Sequence, residues 1–78
     1  MNQYDVVRVV AIRDKRFDKH PASYQRNPAI EDTGTILEIY TAPQLAYEVE
    51  CCDPETGATI WLEAMFPDEL VLIWEAST

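Results

Sequence analysis

The chain has 78 residues, 47% of them hydrophobic, with 14 acidic and six basic side chains and a formal net charge of −8. This length predicts one domain, residues 1–78, with a small core. No apolar run reaches the ~18 residues that cross a bilayer, and the N-terminal apolar run is interrupted by Asp5 and Arg8. Two cysteines are too few for a disulfide framework. These features argue against a membrane anchor, a signal peptide or a disulfide-rich secreted fold, and we expect a soluble cytoplasmic protein.

The charge is divided unevenly along the chain. All six basic residues lie within residues 8–26, so residues 1–26 carry a net +3 and residues 27–78 carry −11. An acidic body repels nucleic acid phosphates and anionic membrane surfaces. We therefore expect weak or no nucleic acid binding, no membrane binding, and a protein partner that is basic.

The first predicted strand covers the Val-rich residues 4–12. Its inward face is ambiguous, because the alternate set beginning at Val6 and the set beginning at Val7 are both plausible. Residues 13–32 show little periodicity and predict a loop of unusual length. Within that loop, Pro21 is suited to begin one helical turn, which would end before Pro28.

Four more strands are predicted by alternation and β-branched content at residues 33–42, 46–52, 58–66 and 71–75. The third has the clearest period of two, with Tyr47, Val49 and Cys51 on one face. The segment DPETG, residues 53–57, is typical of a tight hairpin with a left-handed glycine at its end. Pro67 predicts one helical turn, PDEL, before the last strand.

The fourth strand holds one of the two tryptophans, Trp61. Its alternation predicts that this side chain points outward beside Glu63. The side chains predicted to point inward are Ile60, Leu62, Ala64 and Phe66.

Gly34 precedes the apolar part of the second strand and needs a physical reason. We interpret it as a backbone requirement, a bulge or a positive φ where a strongly curved sheet turns a corner. The alternative is a turn that cradles a phosphate, which needs several glycines and a following helix. Here a single glycine leads into a strand, so the structural interpretation is favoured.

Together these elements predict an all-β fold, a small five-stranded SH3-like barrel. A small sheet with apolar residues on both faces has to curl or close to bury them. The long first loop and the one-turn helix before the last strand have the order and spacing of that architecture.

Four segments carry a resemblance to a known family: YDVV at 4–7, GTILEIY at 34–40, YEVE at 47–50 and PDELVLI at 67–73. In this order the chain resembles an uncharacterised bacterial domain-of-unknown-function family of short SH3-like barrel proteins. The resemblance implies the barrel and no activity. Relatives pass from the first strand to the glycine more briefly, so residues 13–32 are the part most particular to this chain.

No constellation typical of an enzyme, metal site or cofactor site stands out. Cys51 and Cys52 are adjacent on a strand and point to opposite faces, so they cannot chelate one ion together, and we expect one buried and one partly exposed thiol. The single histidine, His20, lies in the loop. A barrel this small offers no deep pocket to perturb a carboxylate. We therefore predict a protein that is not an enzyme and has no cofactor, metal ion or structural disulfide.

The function that these features favour is a small non-catalytic protein–protein interaction module, either a monomer or a small homo-oligomer. Two alternatives are a nucleic-acid-associated accessory protein using the basic loop 13–26 and an acidic decoy or antitoxin-like protein. Exposed aromatic and basic groups are typical of binding surfaces. The candidate partner-binding residues are Arg13, Lys15, Arg16, Phe17, His20, Tyr24, Trp61 and Trp74.

The loop 13–32 is predicted to select the partner, because binding specificity usually lies in loops carried by a rigid scaffold. Replacing residues 15–28 with a short turn would then leave a folded protein without its partner. The rival hypothesis treats Phe17 and Tyr24 as satellite core, with Arg13 or Arg16 paired to carboxylates. In that case deletion unfolds the chain or leaves partner capture intact.

Overall fold

The computed structural model describes residues 1–76 and contains one sheet of five antiparallel strands. The strands are β1 (Val6–Val9), β2 (Thr33–Tyr40), β3 (Ala46–Cys52), β4 (Thr59–Met65) and β5 (Leu70–Trp74). Short 3-10 turns occupy Arg13–Lys15 and Pro67–Glu69. The all-β class, the number of strands and the turn before the last strand are confirmed.

The strand order across the sheet is β4-β3-β2-β1-β5, so β1 pairs with both β2 and β5. Within residues 1–76, β4 and β5 are the two edges and no ladder joins them. The structure therefore contains the predicted strands, but the sheet does not close into a barrel by hydrogen bonding.

The core lies on one face of this sheet, which we call the inner face. Val7 and Val9 are buried there, which resolves the ambiguity of the first strand. The shared face predicted for Tyr47, Val49 and Cys51 of the third strand is confirmed, and this face is the buried one. Phe17 from the loop belongs to the same apolar cluster. The loop thus completes a core that five short strands cannot cover alone.

The prediction for the fourth strand is wrong. Trp61 and Met65 are buried at 1% and 0% exposure, whereas Ala64 is exposed and Ile60, Leu62 and Phe66 are only partly buried. The register shifts between Cys51 and Cys52, since Cys51 lies opposite Trp61 and Cys52 opposite Thr59. This bulge leaves Ile60 without a residue opposite it on β3 and precedes Trp61, so it does not set the face of the tryptophan. From Trp61 to Met65 the register is regular, and Trp61 and Met65 share the face of the buried Cys51 and Tyr47 opposite them, so the alternation was predicted on the wrong face.

The hairpin between β3 and β4 is confirmed. Asp53 accepts hydrogen bonds at its side chain from the amides of Glu55 and Thr56, at 2.8 and 3.3 Å. Gly57 has the predicted left-handed conformation, with φ of 77°. The helical turn expected after Pro21 is not present, because the amides of Gln25 and Arg26 donate to the Ile60 carbonyl on β4 instead.

Gly34 is required by the close approach of β3. A Cβ atom at this position would lie 2.6 Å from Val49 Cγ1 and 2.8 Å from the Glu50 carbonyl oxygen. Gly34 does not have a positive φ. The nearest bulge of β2 lies between Ile36 and Glu38, away from Gly34. Both conformational reasons that we predicted for this glycine, a positive φ and a bulge, are therefore wrong. Glycine is required here by the short contact distance rather than by its conformation, because any side chain would push the strands apart.

We expect Gly34→Val to lower the free energy of unfolding by about 1–3 kcal/mol, because the added atoms overpack against a backbone carbonyl. Gly57→Asn is the matched control, since nothing lies within 4 Å of a Cβ there and asparagine tolerates its left-handed backbone. Urea unfolding measures both. If the free energy of unfolding fell by the same small amount in both variants, the packing explanation would be contradicted.

Candidate interaction surfaces

The start of the loop is fixed to the second 3-10 turn by an ion pair whose carboxylate is buried. Glu69 is completely buried, and both of its carboxylate oxygens accept hydrogen bonds from the Arg16 guanidinium. The backbone amides of Arg13 and Phe66 donate to the same carboxylate, at 2.6 and 2.8 Å. Asp14, between the two arginines, has a left-handed φ of 56°, so a sharp turn brings both of them to Glu69.

These contacts determine the charge state of Glu69. Burial opposes its ionisation, but the hydrogen bonds from Arg16 and from the amides of Phe66 and Arg13 outweigh burial and hold the pKa of Glu69 below its usual value. Arg16 also stacks over Phe17, with its guanidinium carbon 4.5 Å from the ring centroid. Arg16 is therefore committed to the scaffold rather than to a partner.

The end of the loop is fixed by a second cluster around Asp32. The Trp61 indole donates to Asp32 Oδ2 at 2.8 Å, and Arg26 donates to both carboxylate oxygens at 2.7 and 3.0 Å. Burial opposes ionisation of Asp32, yet the bonds from Arg26, the Ala29 amide and Trp61 lower its pKa. Between the two clusters, the loop runs along the outer edge of β4, where Gln25 and Arg26 donate to Ile60 and Arg16 donates to the Ala64 carbonyl.

The structure separates the eight candidate residues into three groups. Phe17 and Trp61 are buried, and Trp61 is therefore not available as an outward contact. Arg13 and Arg16 are half-buried and paired with Asp68 and Glu69. The candidates that remain exposed are Lys15, His20, Tyr24 and Trp74.

A shallow cleft of about 330 Å³ lies beside the loop. It brings His20 near Glu63 against an aromatic wall formed by Phe17 and Phe66. A covalent mechanism needs a nucleophile next to its base. The described residues that line this cleft include no Ser, Thr or Cys. The lining of the cleft therefore supplies no hydroxyl or thiol nucleophile.

The two cysteines are placed as predicted, with Cys51 buried and Cys52 exposed. Burial raises the pKa of the Cys51 thiol, and nearby Asp32 raises it further. Burial and the charge of Glu50 likewise raise the pKa of Cys52. Reactive thiols have lowered pKa values, so neither position has the environment of a nucleophilic cysteine.

We expect the melting temperature to be unchanged by a chelator or by a reductant. The two thiols lie on opposite faces of β3, and no group of three potential metal ligands occurs in residues 1–76. Thermal unfolding followed by circular dichroism, with and without each reagent, measures this. A fall of many degrees with chelator would contradict it.

Sequence reasoning did not assign a role to the carboxylates on the outer face of the sheet. Glu38 and Glu48 lie directly opposite each other on β2 and β3, and Glu50 follows two residues later on the same face. We call Glu38, Glu48 and Glu50 the acidic face. The alternation of Glu48 and Glu50 was visible in the sequence, but the position of Glu38 depends on the β2 bulge.

Two members of the acidic face are held by neutral donors. The Tyr40 hydroxyl donates to Glu48 Oε1 at 2.8 Å, and the Thr59 hydroxyl donates to Glu50 Oε2 at 2.6 Å. The hydrogen bond to Glu48 and the charge of Glu38 raise the pKa of Tyr40. In the described part of the chain, the ion pairs involve Asp32, Asp68 and Glu69, and none involves the acidic face.

No family model, curated protein or solved structure matches this chain. The resemblance to a family of short SH3-like proteins therefore stays a prediction. Among residues 1–76, no helix is long and apolar enough to cross a membrane.

Proposed function

We propose that the chain is a small non-catalytic protein-interaction module, and that its acidic face binds a basic segment of a protein partner. We also propose that its architecture is that of an SH3-like barrel. The strand order, with β1 between β2 and β5, and the 3-10 turn before β5 support the architecture. The observation that carries the function is a set of three neighbouring carboxylates, two of them held by neutral donors, that form no ion pair within residues 1–76.

The directly opposed pair of Glu38 and Glu48 is the most informative part of this set. Like charges opposite each other on neighbouring strands destabilise a sheet, because their Cβ atoms are only about 5 Å apart. The chain has arginines that could relieve this repulsion, yet it places three of them on Asp32, Asp68 and Glu69. Features that break a local rule without compensation are expected at functional sites.

Orientation by neutral donors supports the same proposal. Tyr40 and Thr59 fix Glu48 and Glu50 without neutralising them. A Lys or Arg side chain from a partner would meet carboxylates that are already positioned, so less conformational entropy is lost on binding. The partner would also relieve the repulsion between Glu38 and Glu48. Both effects favour a basic partner over a neutral one.

Binding of an oligolysine peptide tests the role of the acidic face. We expect the triple variant Glu38→Gln, Glu48→Gln, Glu50→Gln to bind about tenfold more weakly, as three lost contacts of about 0.5 kcal/mol each imply. The matched control removes the same charge at three exposed positions outside the acidic face, Glu31, Glu55 and Glu75. Equal weakening of both triple variants, measured by calorimetry at low and physiological salt, would show that only net charge matters and would overturn the proposal.

The nucleic acid alternative is less well supported by the contacts of the loop. Arg13, Arg16 and Arg26 are all paired with carboxylates, which leaves Arg8, Lys15 and Lys19 outside the ion pairs of the described residues. We expect generic single-stranded RNA and DNA to bind more weakly than about 1 μM at physiological salt. Fluorescence anisotropy with labelled oligonucleotides measures this. Tighter binding, weakened by substitution of Lys15 and Lys19, would restore the alternative.

A further inference from the structure

The two edge strands of the sheet differ in whether their outer backbone groups are hydrogen-bonded. The loop covers the β4 edge through hydrogen bonds from Gln25, Arg26 and Arg16 to carbonyls of that strand. Within residues 1–76, the backbone of Val71–Trp74 makes hydrogen bonds only in its ladder with β1. Half of the peptide groups of β5 therefore point away from the sheet without a partner in the described part of the chain.

β5 is also apolar and exposed. Its residues Val71, Leu72, Ile73 and Trp74 are 38, 37, 49 and 58% exposed. Edge strands of soluble proteins are usually protected by charged side chains or proline, and β5 contains neither. The register shift opposite Val6 and Val7 is a bulge at Ile73, which twists the edge locally but places no charge on it. A contiguous apolar edge of this kind marks a site of association.

We infer that β5 pairs with β5 of a second copy of this chain, which gives a homodimer with a continuous ten-stranded sheet. An antiparallel pair about a two-fold axis at Leu72 places Val71 beside Ile73 of the second copy. Leu70 then lies beside Trp74 of the second copy. Every position in the strand meets an apolar side chain, so the surface is complementary to itself.

A second copy fits this edge better than a basic protein does. The segment Leu70–Trp74 carries no charge that could select a basic partner. In the same register, Glu75 lies opposite Glu69 of the second copy, and Glu69 is buried and already neutralised by Arg16. No two like charges therefore face each other at the centre of the paired strands. The acidic face lies on β2 and β3, on the far side of β1, and stays accessible in the dimer.

Charge and size set the strength of this association. Each chain carries −8, so long-range repulsion opposes the dimer and salt screens that repulsion. Pairing of one short strand buries less than the standard interface of about 1,600 Å². We therefore expect a reversible dimer, which is strengthened by salt. Binding to the acidic face has the opposite salt dependence, so the dimer and the proposed function can fail separately.

Analytical ultracentrifugation of the full chain, over a wide range of protein and salt concentration, tests the dimer. We expect the wild type to associate as concentration rises, and to do so at lower concentration in higher salt. Ile73→Lys and Trp74→Lys should each raise the dimer dissociation constant by at least about tenfold, since an edge charge would be buried on pairing. Both residues are exposed, so the monomer should stay folded, as circular dichroism can verify.

Leu45→Lys is the matched control. It adds the same charge at an exposed apolar side chain in the β2–β3 turn, away from β5. We expect this variant to associate like the wild type. A wild type that stays monomeric at every concentration and salt would overturn the dimer and leave the edge to another partner. A dimer that persists unchanged in both β5 variants would also overturn it.

Discussion

Replacing Glu69 with glutamine is expected to lower the free energy of unfolding by about 3–5 kcal/mol, because it leaves the Arg16 guanidinium beside a buried neutral group. Glu69 is completely buried and accepts hydrogen bonds from Arg16 and two backbone amides. A domain of this size has only a few kcal/mol more stability than that, roughly 5–10 kcal/mol in total. The variant should therefore be close to unfolding at 25 °C, as denaturant titration would show.

Asp68→Asn is the control for Glu69→Gln. Asp68 is in the same 3-10 turn and pairs with Arg13, but the two side chains are 62 and 39% exposed. Exposed ion pairs contribute only about 0–1 kcal/mol, so this variant should stay near the wild type. If both variants lost a similar free energy of unfolding, burial of Glu69 would not be the reason that its ion pair stabilises the fold.

The same carboxylate gives the stability a predictable pH dependence. The pKa values of Glu69 and Asp32 are both lowered in the folded protein. A lowered folded pKa stabilises the protein above the unfolded value, about 4, and that stabilisation is lost as pH falls through the folded pKa. We expect acid unfolding to begin below about pH 4, and Glu69→Gln to flatten the decline. If the free energy of unfolding of the variant falls as steeply with decreasing pH as that of the wild type, groups other than Glu69 cause the acid unfolding.

Replacing residues 15–28 with a short turn is expected to unfold the protein. That segment supplies Phe17 to the core, Arg16 to Glu69, and the backbone amides that cover the edge of β4. Removing one buried aromatic side chain alone costs about 3–5 kcal/mol, and removing Arg16 leaves Glu69 buried without its counter-ion. These contacts favour the rival hypothesis, in which the loop is part of the scaffold.

Replacing only residues 21–24 with glycine and serine is the matched control for the loop. All four residues are exposed, and the contacts of Phe17, Arg16 and Arg26 lie outside this segment. We expect this variant to stay folded. A folded protein after replacement of residues 15–28, shown by circular dichroism and a cooperative melt, would restore the loop as a removable element.

Local patterns in the sequence were sufficient to predict the five strands, the β3–β4 hairpin and the turn before β5. The alternation at Tyr47, Val49 and Cys51 reports one buried face, and the sequence from Asp53 to Gly57 determines the hairpin. Pro67 likewise marks the 3-10 turn before β5. In each case, the physical cause lies within a few residues of the element that it determines.

The failures have non-local causes. Trp61 faces inward because it lies opposite Cys51, a buried residue of β3, and the alternation of β4 alone does not indicate which of its two faces meets the core. Glu69 is buried because Arg16, 53 positions away in sequence, neutralises it. The sequence therefore predicted a basic loop available to a partner, although the arginines of that loop pair with carboxylates elsewhere in the chain. The acidic face was visible only in part, since Glu38 joins it through the β2 bulge.

Mapping a captured basic partner onto the chain by NMR tests the proposed function most directly. Amide chemical shifts of the labelled protein would be followed as a partner protein isolated from the host is added. We predict that the largest changes occur on the outer face of β2–β4, at Glu38, Tyr40, Glu48, Glu50 and Leu62, and that the Gln variant of the acidic face removes them. Changes concentrated instead at Lys15, His20 and Tyr24, and retained in that variant, would contradict the proposal and assign partner binding to the loop.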